Sequence, residues 1–257
     1  MKILIIGGGF AGCASAEILS HFASSKITLV EKSNELGAGV RTYFYGGHPY
    51  TFGPRHFLTE NKDTYIYLKK FLKMRNCNYH QFKSYVEKDD NFYNYTINKK
   101  DIQVMPDKKQ ILKQLKNKKK IIKAKNLEEF WIKSVGNILY NKVIKNYNEK
   151  MWMVDDCKEL DTFSWSHKGF TIKSGNRAAF NDRISEYPNH KDGYNLFFDK
   201  IKKIKNVKIK TNTTLKNLNM KKKTYQINNK KFNFDILINT IAPDTLFKNK
   251  FGELKFI

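Results

Sequence analysis

An α/β fold built around a doubly wound parallel sheet is the architecture this sequence predicts, and three observations carry it. The apolar run Ile3 to Ile6 is short enough for a strand buried on both faces. Glycines at 7, 9 and 12 follow it with the spacing G-x-G-x-x-G. A second apolar run, Ile27 to Val30, ends in Glu31, 19 residues past Gly12. Between the runs Ala14 to Phe22 reads as a helix, so strand, glycine turn, helix, strand and acid stand in order.

Each part has a chemical reason. Gly7 permits the tight turn, Gly9 lets the backbone approach a diphosphate, and Gly12 allows helix and strand to pack closely. Free N–H groups at the helix start, around Phe10 and Ala11, favour the same anion. Glu31, with Lys32 beside it, stands where an acid accepts from ribose hydroxyls. The motif therefore points to a dinucleotide, and a glycine turn without a ligand is the alternative. Further on, Gly37 and Gly39 precede Arg41 in a second glycine-rich turn. This extends the fingerprint in the manner of flavoproteins, with Arg41 placed to pair with the FAD diphosphate; an exposed loop arginine is the competing reading.

Composition narrows the function classes. The 257 residues suffice for one large domain or a few interleaved ones, and 40% hydrophobic residues can build a sizeable core. No apolar run approaches the roughly 18 residues of a membrane span, and the N-terminal run is too short for a signal peptide. Cys13, Cys77 and Cys157 are widely spaced and odd in number, which reads as reduced thiols rather than a metal or disulfide framework. The expected location is therefore cytoplasmic. The formal net charge is +24. A polyanion or membrane surface is one explanation. The simpler one is codon bias in an A/T-rich genome, since Lys, Asn, Ile and Tyr are abundant together. With only five arginines in the chain, nucleic acid is not the expected partner.

Along the chain, residues 44–61 mix Gly, Pro, His and aromatics and read as a loop beside a ligand. Lys62 to Met74 reads as a helix. Phe82 to Ile97 reads as a hairpin turning at Lys88 to Asn91. Asp107 caps a helix towards Leu115, and Asn126 with Glu129 forms a capping box for a longer one carrying Leu127, Phe130, Trp131, Val135, Ile138, Leu139 and Val143. Residues 161–194 look irregular. Tyr194 to Ile204 reads as helix, and Val207 to Lys210, Tyr225 to Ile227 and Phe234 to Asn239 as strands, the last a buried return to the first sheet.

The stretch Asn126 to Leu160, NLEEFWIKSVGNILYNKVIKNYNEKMWMVDDCKEL, resembles the UDP-galactopyranose mutase family. Tyr147, Glu149, Lys150 and Trp152 match the family signature Y-T-E-K-Q-W, with Asn148 and Met151 as departures. Weaker likeness runs through TFGPRHFLTEN, FNDRI, Gly193-Tyr194 and FGEL. The resemblance implies a FAD-dependent isomerase, active with reduced flavin, whose N5 atom attacks the anomeric carbon of a UDP-sugar. It implies UDP-galactopyranose and UDP-galactofuranose as substrates, for surface polysaccharide synthesis. Tyr147, Trp152 and Tyr194 match substrate-pocket positions, with core packing as the alternative, and His56 stands beside the positions of the family's paired histidines. A diphosphate-binding arginine of the family falls on Gly169, leaving Lys168, Lys173 and Arg177 as candidate substitutes. Family members continue for about one further domain beyond the position of Ile257, with a second such arginine expected there.

The domains expected are a FAD-binding Rossmann-like one (1–60 with 205–257), a helical bundle (61–78 with 107–160) and a small antiparallel-sheet substrate domain (79–106 with 161–204). A homodimer is left open as the assembly. The alternatives are a diverged FAD-dependent oxidoreductase of the amine-oxidase-like class, or a non-catalytic flavin-binding remnant. No metal site is expected.

Overall fold

The strand Lys2–Ile6 (β1) runs through the glycine turn into the helix Phe10–Ser20 (α1) and returns as a parallel strand, Lys26–Val30 (β2). The structure is a computed structural model that describes residues 1–53, 55–95, 97–117, 124–161, 172–180, 183–250 and 252. Side chains alternate across a strand. Ile3 and Ile5 enter one core with Ile27 and Leu29, whereas Leu4 and Ile6 enter a second with Tyr225, Ile227 and Phe234. A strand covered on both faces needs an apolar residue at every position, which is why the run is unbroken.

Short elements follow: a hairpin of Tyr43–Tyr45 (β3) and His48–Tyr50 (β4), the strand Phe57–Thr59 (β5), the helix Lys62–Lys69 (α2) and the strand Met74–Asn76 (β6). The expected loop at 44–61 thus contains β4, β5 and the end of β3. Gly46 and Gly47 both take positive φ, +55° and +80°, as a two-residue hairpin turn requires. The helix expected to reach Met74 stops at Lys69, because Met74 pairs instead with Pro188 in a sheet.

The chain then builds a hairpin from Phe82–Val86 (β7) and Asn91–Tyr95 (β8), as expected, with Asp90 left-handed at the turn. Helices Lys99–Ile102 (α3), Lys108–Lys116 (α4), Leu127–Val135 (α5), Asn137–Leu139 (α6) and Lys145–Trp152 (α7) follow, with a π-helical turn at Tyr140–Ile144. Asn126 caps α5 by accepting from the Glu129 N–H, while Glu129 accepts from Lys125 N rather than Asn126 N. The long helix expected from Asn126 is broken at Gly136, φ +88°, where a Cβ would lie 2.6 Å from Gln114 Oε1. Its apolar residues nevertheless form one core with Tyr93, Ile102, Met105 and Ile111.

The remaining elements are Ile184–Pro188 (β9), Asn195–Ile201 (α8), Val207–Lys210 (β10), Lys216–Asn219 (β11), Thr224–Ile227 (β12), Lys230–Asn233 (β13), Ile236–Asn239 (β14) and Pro243–Phe247 (α9). The main sheet has the order β10-β2-β1-β14, all parallel. Two three-stranded antiparallel sheets, β11-β12-β13 and β5-β9-β6, accompany it. Strand β14 was expected to be buried; at the sheet's edge among the described residues it leaves Ile236 43% exposed.

Two units emerge, Met1–Cys77 with Arg183–Lys255, and Asn78–Asp182. The first holds the parallel sheet and also α2 and β9, segments the sequence grouped with the other two domains. The second holds the β7–β8 hairpin and helices α3 to α7.

Within the second unit a buried ion pair ties hairpin to helices. Lys142 Nζ donates to both Asp89 oxygens at 2.7 Å and also pairs with Asp107, with Lys142 and Asp89 5% and 3% exposed. Burial alone lowers the lysine pKa, but the hydrogen bonds to Asp107 and Asp89 outweigh it and raise it. Replacing Lys142 with Met strands Asp89 without its cation and is expected to cost about 3–5 kcal/mol in denaturant unfolding. Removing both charges, as Asp89→Asn with Lys142→Met, is expected to cost less than half of that. A single variant as stable as wild type would remove the ion pair from the account of this unit.

Candidate functional site

The site begins where β1 ends. Gly7 takes φ +104°, and its N–H donates to the Val30 carbonyl at 2.9 Å. A Cβ on Gly7 would lie 2.4 Å from Thr240 Oγ1, and one on Gly12 would lie 1.9 Å from the Gly7 carbonyl oxygen. Both positions are therefore closed to any side chain. Gly9 is different. It caps α1 with φ −75°, and a Cβ there would meet nothing within 4 Å. Open space against the backbone at the start of a helix is the cradle a dinucleotide phosphate requires, so these residues fit the group.

The helix begins at Phe10, four residues earlier than the sequence reading. Ala11 is exposed on its first turn, while Phe10 turns inward, with its ring 4.9 Å from Tyr194 and 5.4 Å from Phe197. Glu31 is 7% exposed. Its Oε2 accepts from Gly8 N at 2.6 Å and its Oε1 from Ser33 N at 2.8 Å. The acid thus shapes the glycine turn itself, and its two oxygens keep further lone pairs. Lys32 beside it is exposed.

The second glycine turn is tied to the first, since Gly37 N donates to the Gly8 carbonyl at 2.9 Å. Gly37 has φ +90°, and a Cβ would strike the Phe198 ring at 2.4 Å, so close packing explains this glycine. Gly39 is open on the side where its Cβ would stand, and its carbonyl accepts from Gly53 N. Arg41 is already engaged: its guanidinium lies 3.5 Å from both Glu35 and Asp199 and donates to the Leu36 carbonyl, with the side chain 13% exposed. His56 bonds Ser185 Oγ at 2.7 Å and stacks on Tyr187 at 4.8 Å. Tyr194 is 3% exposed and donates to the Arg55 carbonyl; burial raises its pKa. These contacts make it a packing residue of the first unit.

The other sequence candidates lie in the second unit. Tyr147 is 46% exposed and lines a cavity of about 710 Å³ together with Tyr85, Gln110, Asn141, Lys142 and Asn146. Trp152 packs on the helical core, and among the described residues its buried Nε1 has no acceptor. Lys173 Nζ donates to the Ala179 carbonyl at 2.8 Å, and Arg177 stands 3.8 Å from Asp101. Lys168 lies outside the described residues. Among those residues no cluster of His, Cys, Asp or Glu suits a metal ion, and no helix is long and apolar enough to cross a membrane.

Sequence reasoning missed Gly8, whose N–H binds Glu31, and Thr240, whose hydroxyl donates to the Ile6 carbonyl at 2.8 Å and fills the space under Gly7. The third glycine of the run, and the threonine closing Asp235-Ile-Leu-Ile-Asn-Thr, were the available signals.

Two family models match the chain. Residues 142–257 match the family model for UDP-galactopyranose mutase, and residues 5–73 match that for an NAD(P)-binding Rossmann-like domain. An L-amino-acid oxidase of Sistrurus catenatus edwardsii is 25% identical over 200 residues, 77% of this chain and 35% of the oxidase. A dTDP-fucopyranose mutase of Escherichia coli is 25% identical over 165 residues, 59% of this chain and 41% of the mutase. The chain thus spans about a third of the length of the oxidases it matches. A crystal structure of reduced UDP-galactopyranose mutase shares the fold with a TM-score of 0.78 at 19% identity, covering 96% of this chain and 57% of that one. The chain is similar to flavin-dependent mutase-like and amine-oxidase-like proteins.

The two kinds of glycine predict different failures. Gly12→Ala drives a methyl into the Gly7 carbonyl and is expected to cost about 1–3 kcal/mol of stability. Gly9→Ala is expected to leave the melting temperature unchanged and to abolish dinucleotide retention; retention by Gly9→Ala would place the ligand elsewhere. Cys13 supplies a pH test. Burial, then the Glu31 charge, pushes its thiol up to about 12 from 9.0. The neutral thiol's contribution is complete below about pH 9 and is lost as pH rises through about 12. Wild type is therefore expected to lose stability more steeply than Cys13→Ala across that window, and parallel curves would contradict the burial of this thiol.

Proposed function

We propose that the first unit holds FAD and the second holds the nucleotide portion of a UDP-sugar, in a flavoenzyme that interconverts six- and five-membered ring forms of the sugar. The observation that carries this reading is the mutase match over 142–257, which includes Tyr147 on the wall of the 710 Å³ cavity. When bound, reduced flavin supplies the nucleophile for the anomeric carbon. The residues of the chain bind and orient. The N–H groups at the start of α1, open at Gly9, would hold the cofactor diphosphate, and Glu31 would accept from its ribose. The second glycine turn supports the first.

In the second unit Tyr147 offers its ring to the nucleobase, with the carboxamides of Asn141 and Asn146 on the same wall to read its polar edge. Of the basic candidates, Arg177 is the better choice for the substrate diphosphate. It is 40% exposed and only distantly paired, and its fork can bind two oxygens at once. Trp152 is assigned to the core. A second reading, a flavin-dependent oxidoreductase, is favoured by the amino-acid oxidase relatives, which align with 77% of the chain.

Dithionite-reduced protein mixed with UDP-galactofuranose, with products separated by chromatography, distinguishes the two. Ring isomerisation that requires reduction supports the first. Flavin bleaching by an amino acid in the absence of dithionite, with no sugar product, supports the second. Tyr147→Ala is expected to weaken UDP binding by about 1–3 kcal/mol, the scale of a base–aromatic stack, with the fold intact. Trp152→Ala is expected to lower stability by about 3 kcal/mol, as truncation of a core aromatic does. The reverse pattern would move the nucleobase from Tyr147 to Trp152.

A further inference from the structure

The helix α4 divides its circumference among three surroundings. Ile111 is buried in the helical core, with Leu115 packed against that core. Gln110 lines the cavity, and Gln114 Oε1 accepts from Ile138 N. Lys109, Leu112, Lys113 and Lys116 take the remaining face, and all four are exposed. At 3.6 residues per turn that face spans an arc of roughly 100°. None of its lysines has a carboxylate partner among the described residues, whereas Lys133 pairs with Glu129, Lys145 with Glu149 and Lys158 with Glu128. The sequence gives the reason: from Lys108 to Leu127 there are nine lysines and no acid. Codon bias raises lysine throughout a chain, but it does not clear acids from one segment or gather unpaired lysines on one helix face.

We propose that this lysine face of α4 docks on an anionic phospholipid surface, a peripheral contact distinct from the flavin and sugar sites. The charge that selects the occupant is local. Lysines clustered on an amphipathic helix are attracted to anionic headgroups, each adding to the binding, and salt screens the attraction. Leu112, 40% exposed, stands among the three lysines. Its side chain can enter the boundary between headgroups and acyl chains while the lysine heads stay in water. Nucleic acid fits less well. The chain has no arginine between Arg75 and Arg177, and lysine lacks the planar fork that reads phosphates and base edges. A groove on a partner protein fits less well again, because that mode needs a row of apolar anchors, and α4 commits Ile111 and Leu115 to its own core. Among the described residues no helix is long and apolar enough to cross a membrane, so the contact lies in the interface.

The test is co-sedimentation of the full chain with phosphatidylserine–phosphatidylcholine vesicles and with phosphatidylcholine vesicles alone, at low and high salt. Wild type is expected to bind the anionic vesicles only, and less at high salt. The triple variant Lys109→Gln, Lys113→Gln, Lys116→Gln is expected to bind at least about tenfold more weakly, as three lysines leave the contact. A control triple variant, Lys221→Gln, Lys222→Gln, Lys230→Gln, removes the same charge from exposed positions of the first unit and is expected to bind nearly as wild type. Leu112→Gln, which keeps every charge, is expected to bind a few-fold more weakly. Circular dichroism checks that each variant is folded. Equal weakening by the two triple variants would reduce the effect to whole-chain charge and overturn the proposal. So would absence of binding to anionic vesicles, or α4-dependent binding of a polyuridylate RNA without binding of vesicles, which would make nucleic acid the occupant.

Discussion

The hydrogen bond from the Gly8 N–H to the Glu31 carboxylate, 2.6 Å long and buried, is the constraint on which the first unit's site depends. It joins the turn after β1 to the end of β2, two points that the parallel sheet brings side by side. A bond to a charged acceptor contributes about 1.5–3 kcal/mol, and breaking it strands a buried carboxylate oxygen. Everything around it is built to the same shape. Gly37 N closes onto the Gly8 carbonyl, the Cys13 thiol donates to that same carbonyl, and Thr240 fills the space beneath Gly7. The form of the turn is therefore set by protein contacts.

The second unit solves a different problem. Among the described residues its helices are short and interrupted, at Gly136 and by the π-helical turn. Order comes from one apolar core and from Lys142 held by Asp89 and Asp107. Tyr93 reinforces the pair by donating to Asp89 at 2.9 Å. Lys142 and Tyr147 then share a cavity wall, which places a structural ion pair and a candidate recognition ring in one surface. The interrupted helix is what brings this about: a straight helix through 126–152 would set its residues in a different rotational register.

The nucleotide-binding half was legible because its signals are local and physical. A strand buried on both faces must be apolar throughout, and Gly7 and Gly12 are required by contacts a methyl cannot satisfy. Strands β5, β6 and β9 were not legible, since each is short and exists through pairing with distant residues, as Met74 does with Pro188. The β3–β4 hairpin carried a signal in Gly46-Gly47, but its aromatic strands lack the alternation of a sheet with one face buried. For the site, spacing alone could not tell a pocket residue from a packing residue. Tyr194 and Gly37 serve the core, Arg41 is occupied by Glu35 and Asp199, and Trp152 supports helices, while Tyr147 stays at a cavity wall. Which side a helix face turns towards depends on partners that lie far away in sequence.

The central claim is that the turn held by Glu31 is a FAD site. Equilibrium titration of the purified, flavin-stripped chain with FAD and, separately, with NADH tests it most directly. The account predicts uptake of one FAD per chain with a change in the flavin's visible absorbance, weakened by Glu31→Ala and not displaced by excess NADH. Tight binding of NADH with no uptake of flavin would contradict it.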